Sequence, residues 1–180
     1  MSRPLSRSLL LPAVLVCLTV IISGLTPPPT PLQAERGFAT SNALPDLTWD
    51  PVNAEPIKLR GLEGHALLIM FLDPNMKACV GQLDLVRPLQ EKYEPKGLKV
   101  ITICASEPAA GVHPDSMFTE KGLEWPLVMW HETSELEQYG ISDLPVNVIA
   151  DREGKVLNRI GAISKYNVFS LEQNLVVALR

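Results

Sequence analysis

Short unbroken apolar runs alternate along this chain with stretches in which apolar residues recur every three or four positions, a pattern that predicts buried strands interleaved with amphipathic helices. The strongest run is His65-Ala66-Leu67-Leu68-Ile69-Met70-Phe71-Leu72. Its continuous apolarity implies a strand covered on both faces of a sheet, and Asp73-Pro74 ends it. From residue 77 to 93 the period lengthens: Leu83, Val86, Leu89, Gln90 and Tyr93 fall at helical intervals, and Gly97 follows as a stop signal. Residues 98–104, Leu-Lys-Val-Ile-Thr-Ile-Cys, are rich in β-branched side chains and predict a second strand. Strand, helix and strand form one unit in which the two strands run parallel, joined by a right-handed crossover.

Upstream, Leu44-Pro45-Asp46-Leu47-Thr48-Trp49 opens a short hairpin that ends near Leu59. Downstream, residues 105–122 read as a loop and a short helix, 125–130 as a short extended segment and 134–139 as a helical turn. Two strands, 146–150 and 155–160, flank the turn Asp151-Arg152-Glu153-Gly154 and predict a β-hairpin. Val168, Phe169, Leu171, Leu175, Val176 and Leu179 give the apolar positions of a closing helix over 165–179. The fold class is α/β, a central mixed β-sheet flanked by helices.

The first residues show another pattern. Arg3 and Arg7 precede a charge-free stretch over 8–34, apolar in its 9–25 part. A basic flank before an apolar run is the mark of a signal peptide, and the run also sits at the short end of the ~20 residues that span a bilayer. Cleavage after Leu32-Gln33-Ala34 and retention as a membrane anchor both export the remainder of the chain, and the anchor is the preferred reading, with the basic end held in the cytoplasm. Cys17 is then a residue of the apolar segment. Thr26-Pro27-Pro28-Pro29-Thr30-Pro31 makes a stiff spacer. Two parts result: 1–34, a signal peptide or membrane anchor with its Pro-rich spacer, and 35–180, a single domain. The expected location is extracytoplasmic, membrane-anchored or, after cleavage, secreted.

The chain has 180 residues, 16 Lys and Arg against 20 Asp and Glu; setting aside Arg3 and Arg7 leaves 14 basic against 20 acidic, a net of −6 for the exported part. Its acidic residues are scattered as on a solvated surface, and no basic patch with interleaved aromatics exists to track a phosphate backbone. Nucleic acid is excluded as a partner, and a protein or small molecule is expected instead.

From Ala43 to the C-terminus the chain resembles the membrane-tethered thioredoxin-like proteins of the redoxin group, among them bacterial thiol-disulfide oxidoreductases. The resemblance rests on Leu44-Pro45-Asp46-Leu47, on Gly61-Leu62-Glu63-Gly64-His65 leading into the first long strand, and on Leu89-Gln90-Glu91-Lys92-Tyr93. Most specific is Tyr139-Gly140-Ile141-Ser142-Asp143-Leu144-Pro145 followed by Val148-Ile149-Ala150-Asp151-Arg152-Glu153-Gly154-Lys155-Val156. It implies a thioredoxin fold, and a cis peptide bond before Pro145, with Leu144 and Pro145 facing the active site. It also places a Cys-X-X-Cys motif at the start of the helix, where the helix end lowers the first thiol's pKa and makes it the nucleophile. Here those positions hold Met76-Lys77-Ala78-Cys79. Met76 stands in the nucleophile's place. A thioether forms no thiolate, and one cysteine cannot close the intramolecular disulfide that stores two electrons.

Two functions are then open. One is a protein that retains single-cysteine redox activity at Cys79 towards a protein thiol, with Lys77 and Ala78 lining the site. The other is a non-catalytic module that holds an extended peptide in the groove by Pro145, with Met76 as an apolar contact. Cys79 is then a small core residue left from an ancestral pair. Cys104, at the end of the second strand, is a second thiol: either a buried strand residue or a partner for Cys79 if their Cα atoms lie within ~7 Å. A peroxidase of related fold wants Thr or Ser and Pro where Met76 and Leu72 stand. His65, His113 and His131 lack ligand spacing, so neither a metal nor another cofactor is expected. His113, Trp125 and Trp130 are candidates to border the site, with surface loop and core the preferred reading. No Gly-rich phosphate loop or Ser/His/Asp elbow occurs.

Overall fold

A computed structural model of the chain describes residues 43–129, 140–141 and 143–180. The segment 1–34, the helical turn expected over 134–139, Trp130 and His131 lie outside the described residues. Among those described, no helix is long and apolar enough to cross a membrane.

Strands β1 (Thr48–Trp49) and β2 (Ile57–Lys58) form the small antiparallel hairpin, and a 3₁₀ turn, Leu59–Leu62, comes next. Strand β3 (Ala66–Leu72) begins one residue later than its apolar run suggests and is buried at every position. Helix α1 (Lys77–Tyr93) leads through a 3₁₀ turn to β4 (Leu98–Cys104). Helix α2 (Pro114–Glu120), strands β5 (Leu127–Met129), β6 (Val146–Ala150) and β7 (Val156–Ile160), and helix α3 (Val168–Ala178) complete the order. The five-stranded sheet runs β5-β4-β3-β6-β7. Strands β3, β4 and β5 are parallel, whereas β6 is antiparallel to β3 and to β7.

Alternation along β3 divides the core. Ala66, Leu68, Met70 and Leu72 pack with Cys79, Leu83, Val86 and Leu89 of α1 and with Leu171 and Leu175 of α3. Leu67, Ile69 and Phe71 pack on the opposite face with Trp49, Leu59 and Ile141. Each large side chain so enclosed contributes about 1.5–3 kcal/mol, which is why β3, buried on both faces, anchors the molecule. One apolar position of the sequence pattern does not join this core. Phe169, placed on the closing helix as an apolar contact, is 69% exposed, because α3 begins at Val168 and its buried stripe is Leu171, Leu175 and Ala178. Tyr166 just before it is also exposed.

Pro88 lies inside α1 without ending it; the proline removes one backbone donor, and the buried stripe on either side, Val86 and Leu89, keeps the helix on the sheet. Gly97, by contrast, has a positive φ of 95° and lies under the guanidinium of Arg152, 3.3 Å from where a β-carbon would sit. Arg152 there donates to the carbonyls of Gly64, Lys96 and Leu179, tying three chain segments together.

The register brings one end of the sheet into focus. Leu72 pairs with Cys104, Phe71 with Val146 and Asn147 with Ile160. The end of β3, the start of β6 and the end of β7 therefore meet, and the chain enters α1 beside the residues that precede β6.

Candidate functional site

At that end of the sheet a tight turn carries β3 into α1. Asn75 donates its backbone N–H and its side-chain amide to Asp73 Oδ1, both at 2.8 Å, and the Met76 N–H donates to the Asp73 carbonyl at 3.2 Å. Asn75 also crosses to the loop after β4, donating to the Glu107 carbonyl at 2.9 Å and accepting from the Ala109 N–H at 2.7 Å. Met76 is the N-cap of α1, in extended conformation, and provides no side-chain cap. Its carbonyl accepts from Cys79 and Val80, closing the first turn. Met76 is 44% exposed, Lys77 and Ala78 are exposed, and Cys79 is completely buried.

Opposite this helix start, the Leu144–Pro145 peptide bond is cis. Both residues are half-buried. The backbone N–H and C=O of Leu144 make no hydrogen bond among the described residues. Behind Pro145 lies a buried amide pair that the pattern of apolar residues did not single out. Asn147 donates to Gln82 Oε1 at 3.2 Å and to the Gly161 carbonyl at 2.7 Å, and Gln82 Oε1 also accepts from the Ile163 N–H at 3.1 Å. Gln82 thus ties α1 to β6, the strand that follows Pro145, and to the loop after β7. Its signal was a polar residue beside Leu83 on the buried stripe, and that of Asn147 was an amide inside an apolar strand.

No family model matches the chain. Among curated proteins it is 25% identical over 116 residues to the thiol-disulfide oxidoreductase ResA of Bacillus thuringiensis (strain Al Hakam), covering 64% of this chain and 66% of that protein, just under two thirds. Among solved structures it resembles a thiol:disulfide interchange protein of the thioredoxin family from Chlorobium tepidum TLS, with a TM-score of 0.62 and 18% identity, covering 77% of this chain and 96% of the other. It also resembles a secreted Mycobacterium tuberculosis disulfide oxidoreductase homologous to Escherichia coli DsbE, with a TM-score of 0.59 and 14% identity over 73% of this chain and 96% of that one.

The chain has the thioredoxin fold.

In this thioredoxin-like protein the two thiols at the site are both free and both buried on the α1 side of the sheet. Burial raises the pKa of Cys79; a backbone hydrogen bond from Asp73 acts the other way, and the Asp73 carboxylate adds to the rise. Burial pushes Cys104 up to about 12, with the Asp73 carboxylate again contributing. Neither sulfur is therefore an acidic thiolate in waiting, and the positive end of α1 does not reverse the effect of enclosure.

The remaining candidates disperse. Trp125 is a core residue whose indole N–H donates to the Thr102 hydroxyl at 2.9 Å. His113 stands just before α2, and His65 precedes β3 at the opposite end of the sheet. Among the described residues no group of three His, Cys, Asp or Glu side chains is arranged to hold a metal ion.

Proposed function

We propose that this thioredoxin-like protein, a relative of thiol-disulfide oxidoreductases, is a non-catalytic binding module that holds an extended segment of a protein partner beside Pro145. In this reading Met76-Lys77-Ala78-Cys79 is a Cys-X-X-Cys site that has lost its nucleophile. One observation carries it: the exposed position at the start of α1 is a methionine, while the remaining cysteine of the motif is completely buried with its thiol pKa raised. The N–H and C=O of Leu144 supply strand-like hydrogen bonds to an extended chain, and the Met76 thioether supplies an adaptable apolar contact. Residues 1–34 serve as the signal peptide or membrane anchor of the 35–180 domain and place it outside the cytoplasm; the basic flank and apolar run support this. Single-thiol chemistry at Cys79 is the competing reading, favoured by its place in the first turn of α1, where the helix end attracts a thiolate.

Reduced, carboxymethylated α-lactalbumin, an unfolded chain with every thiol blocked, separates the two. Titrated into the full chain and followed by amide NMR, it is expected to shift Leu144, Val146 and Met76 while leaving Cys79 unmodified. Absence of those shifts, together with a stable mixed disulfide at Cys79 after incubation with oxidised glutathione, overturns the binding module in favour of the single thiol.

A further inference from the structure

Among the described residues the exposed sulfur is that of Met76, which stands at the start of α1 and is 44% exposed. Met70 is completely buried in β3, and Met117 and Met129 are partly buried against the core on the α1 side of the sheet. Cys79 and Cys104 are closed off from water, and burial raises the pKa of each thiol. A peroxide attacks thiolates and accessible thioethers. Enclosure therefore protects both of these cysteines and shields the other methionines, and leaves Met76 open.

The surroundings of this thioether also suit its oxidised form. As the N-cap of α1, Met76 offers no side-chain hydrogen bond to the helix. The backbone N–H groups of Lys77 and Ala78, in the first turn, make no hydrogen bond among the described residues. An oxygen on an N-cap side chain accepts from the N–H two or three residues on, and the positive helix end attracts its partial charge. A thioether is a weak acceptor, whereas a sulfoxide carries a polar S–O bond. The backbone of Met76 is held throughout, its N–H donating to the Asp73 carbonyl and its own carbonyl accepting from Cys79 and Val80. Oxidation thus changes the chemistry of the side chain without freeing the turn.

We propose that Met76 is a reversible oxidation site whose sulfoxide releases the segment held beside Pro145. The inference rests on the binding-module reading, in which the Met76 thioether is the apolar contact for that segment. The oxidant is a hydroperoxide. With hydrogen peroxide, one oxygen atom passes to Sδ: the O–O bond breaks, an S–O bond forms, the sulfur gives up two electrons and the peroxide is reduced to water. Oxidation makes the contact polar and draws the side chain towards the Ala78 N–H, and both effects withdraw it from an apolar partner. Reversal consumes two thiols of a reductant, which leave as a disulfide with one water.

The test treats the full chain with hydrogen peroxide, maps it by peptide mass spectrometry and, once freed of peroxide, titrates it with reduced, carboxymethylated α-lactalbumin. Gain of one oxygen is expected roughly tenfold faster at Met76 than at Met70, Met117 or Met129. The oxidised chain is expected to bind roughly fivefold more weakly, the effect of losing one apolar contact, and methionine sulfoxide reductases A and B with dithiothreitol to restore the affinity. The variant Met117→Leu/Met129→Leu, changed only at residues packed against the core, is expected to respond in the same way. Equally fast oxidation at Met117 or Met129, unchanged binding after oxidation of Met76, loss of the response in the double variant, or a weakening that the reductases do not reverse overturns the inference and leaves the binding module standing. Absence of binding by the untreated chain overturns the binding module, and this inference with it.

Discussion

Cys79 lies one helical turn from an exposed helix end, yet it is closed off from water among Met70, Leu72 and Leu83. Enclosure outweighs the helix end because removing a thiolate from water costs more than the partial charge there returns. Native-state alkylation by iodoacetamide below pH 8 is accordingly expected to leave Cys79 and Cys104 unlabelled, with both labelled once the chain is unfolded in urea. The raised pKa values also set a sign for stability. Below about pH 9, the ordinary value for a thiol, Cys104 is neutral in folded and unfolded chains alike. Above it the unfolded thiol ionises while the folded one holds its proton up to about 12, so stability falls across that window. At ~1.4 kcal/mol per pH unit the contribution of this residue reaches about 4 kcal/mol, and Cys104→Ala is expected to flatten the alkaline fall in urea midpoints.

Between elements, the joint that matters most for the site is the contact of α1 with β6 and the loop after β7. Gln82 accepts from both Asn147 and Ile163, and its removal leaves the buried Ile163 N–H without a partner. Gln82→Ala is expected to cost about 2–4 kcal/mol in urea denaturation, more than the truncation of an exposed glutamine. Asn75→Ala frees the loop after β4 at Glu107 and Ala109, with faster hydrogen exchange at the Ala109 amide as the readout. Here the sequence is an uneven guide. Strand β3, helix α1 and the β6–β7 hairpin are legible in it because long apolar runs and a sustained helical period leave few alternatives. Gln82, Asn147 and Asn75 are not, because their partners lie far along the chain and no local spacing announces such a pairing. Phe169 is misplaced by its spacing for a related reason: helical period alone does not say which flank of α3 the sheet covers.

At the scale of the molecule, the two halves of the sheet come from distant chain segments, and Arg152 joins them from the β6–β7 turn to Gly64, Lys96 and Leu179. Three charge-assisted bonds to carbonyls, one of them at the end of α3, make Arg152→Ala a global lesion, with an expected loss of about 2–4 kcal/mol and a lower melting temperature. The resemblance to thiol-disulfide oxidoreductases and the exposed methionine at the start of α1 together support the proposal made above, a Cys-X-X-Cys site that has lost its first sulfur. The reduction of insulin disulfides by dithiothreitol, with the full wild-type chain and the Met76→Cys variant compared side by side, tests this most directly. No acceleration by the wild type and a clear gain of activity in the variant are expected. Turnover by the wild type, or a folded variant that stays inert, contradicts the loss of the nucleophile at Met76.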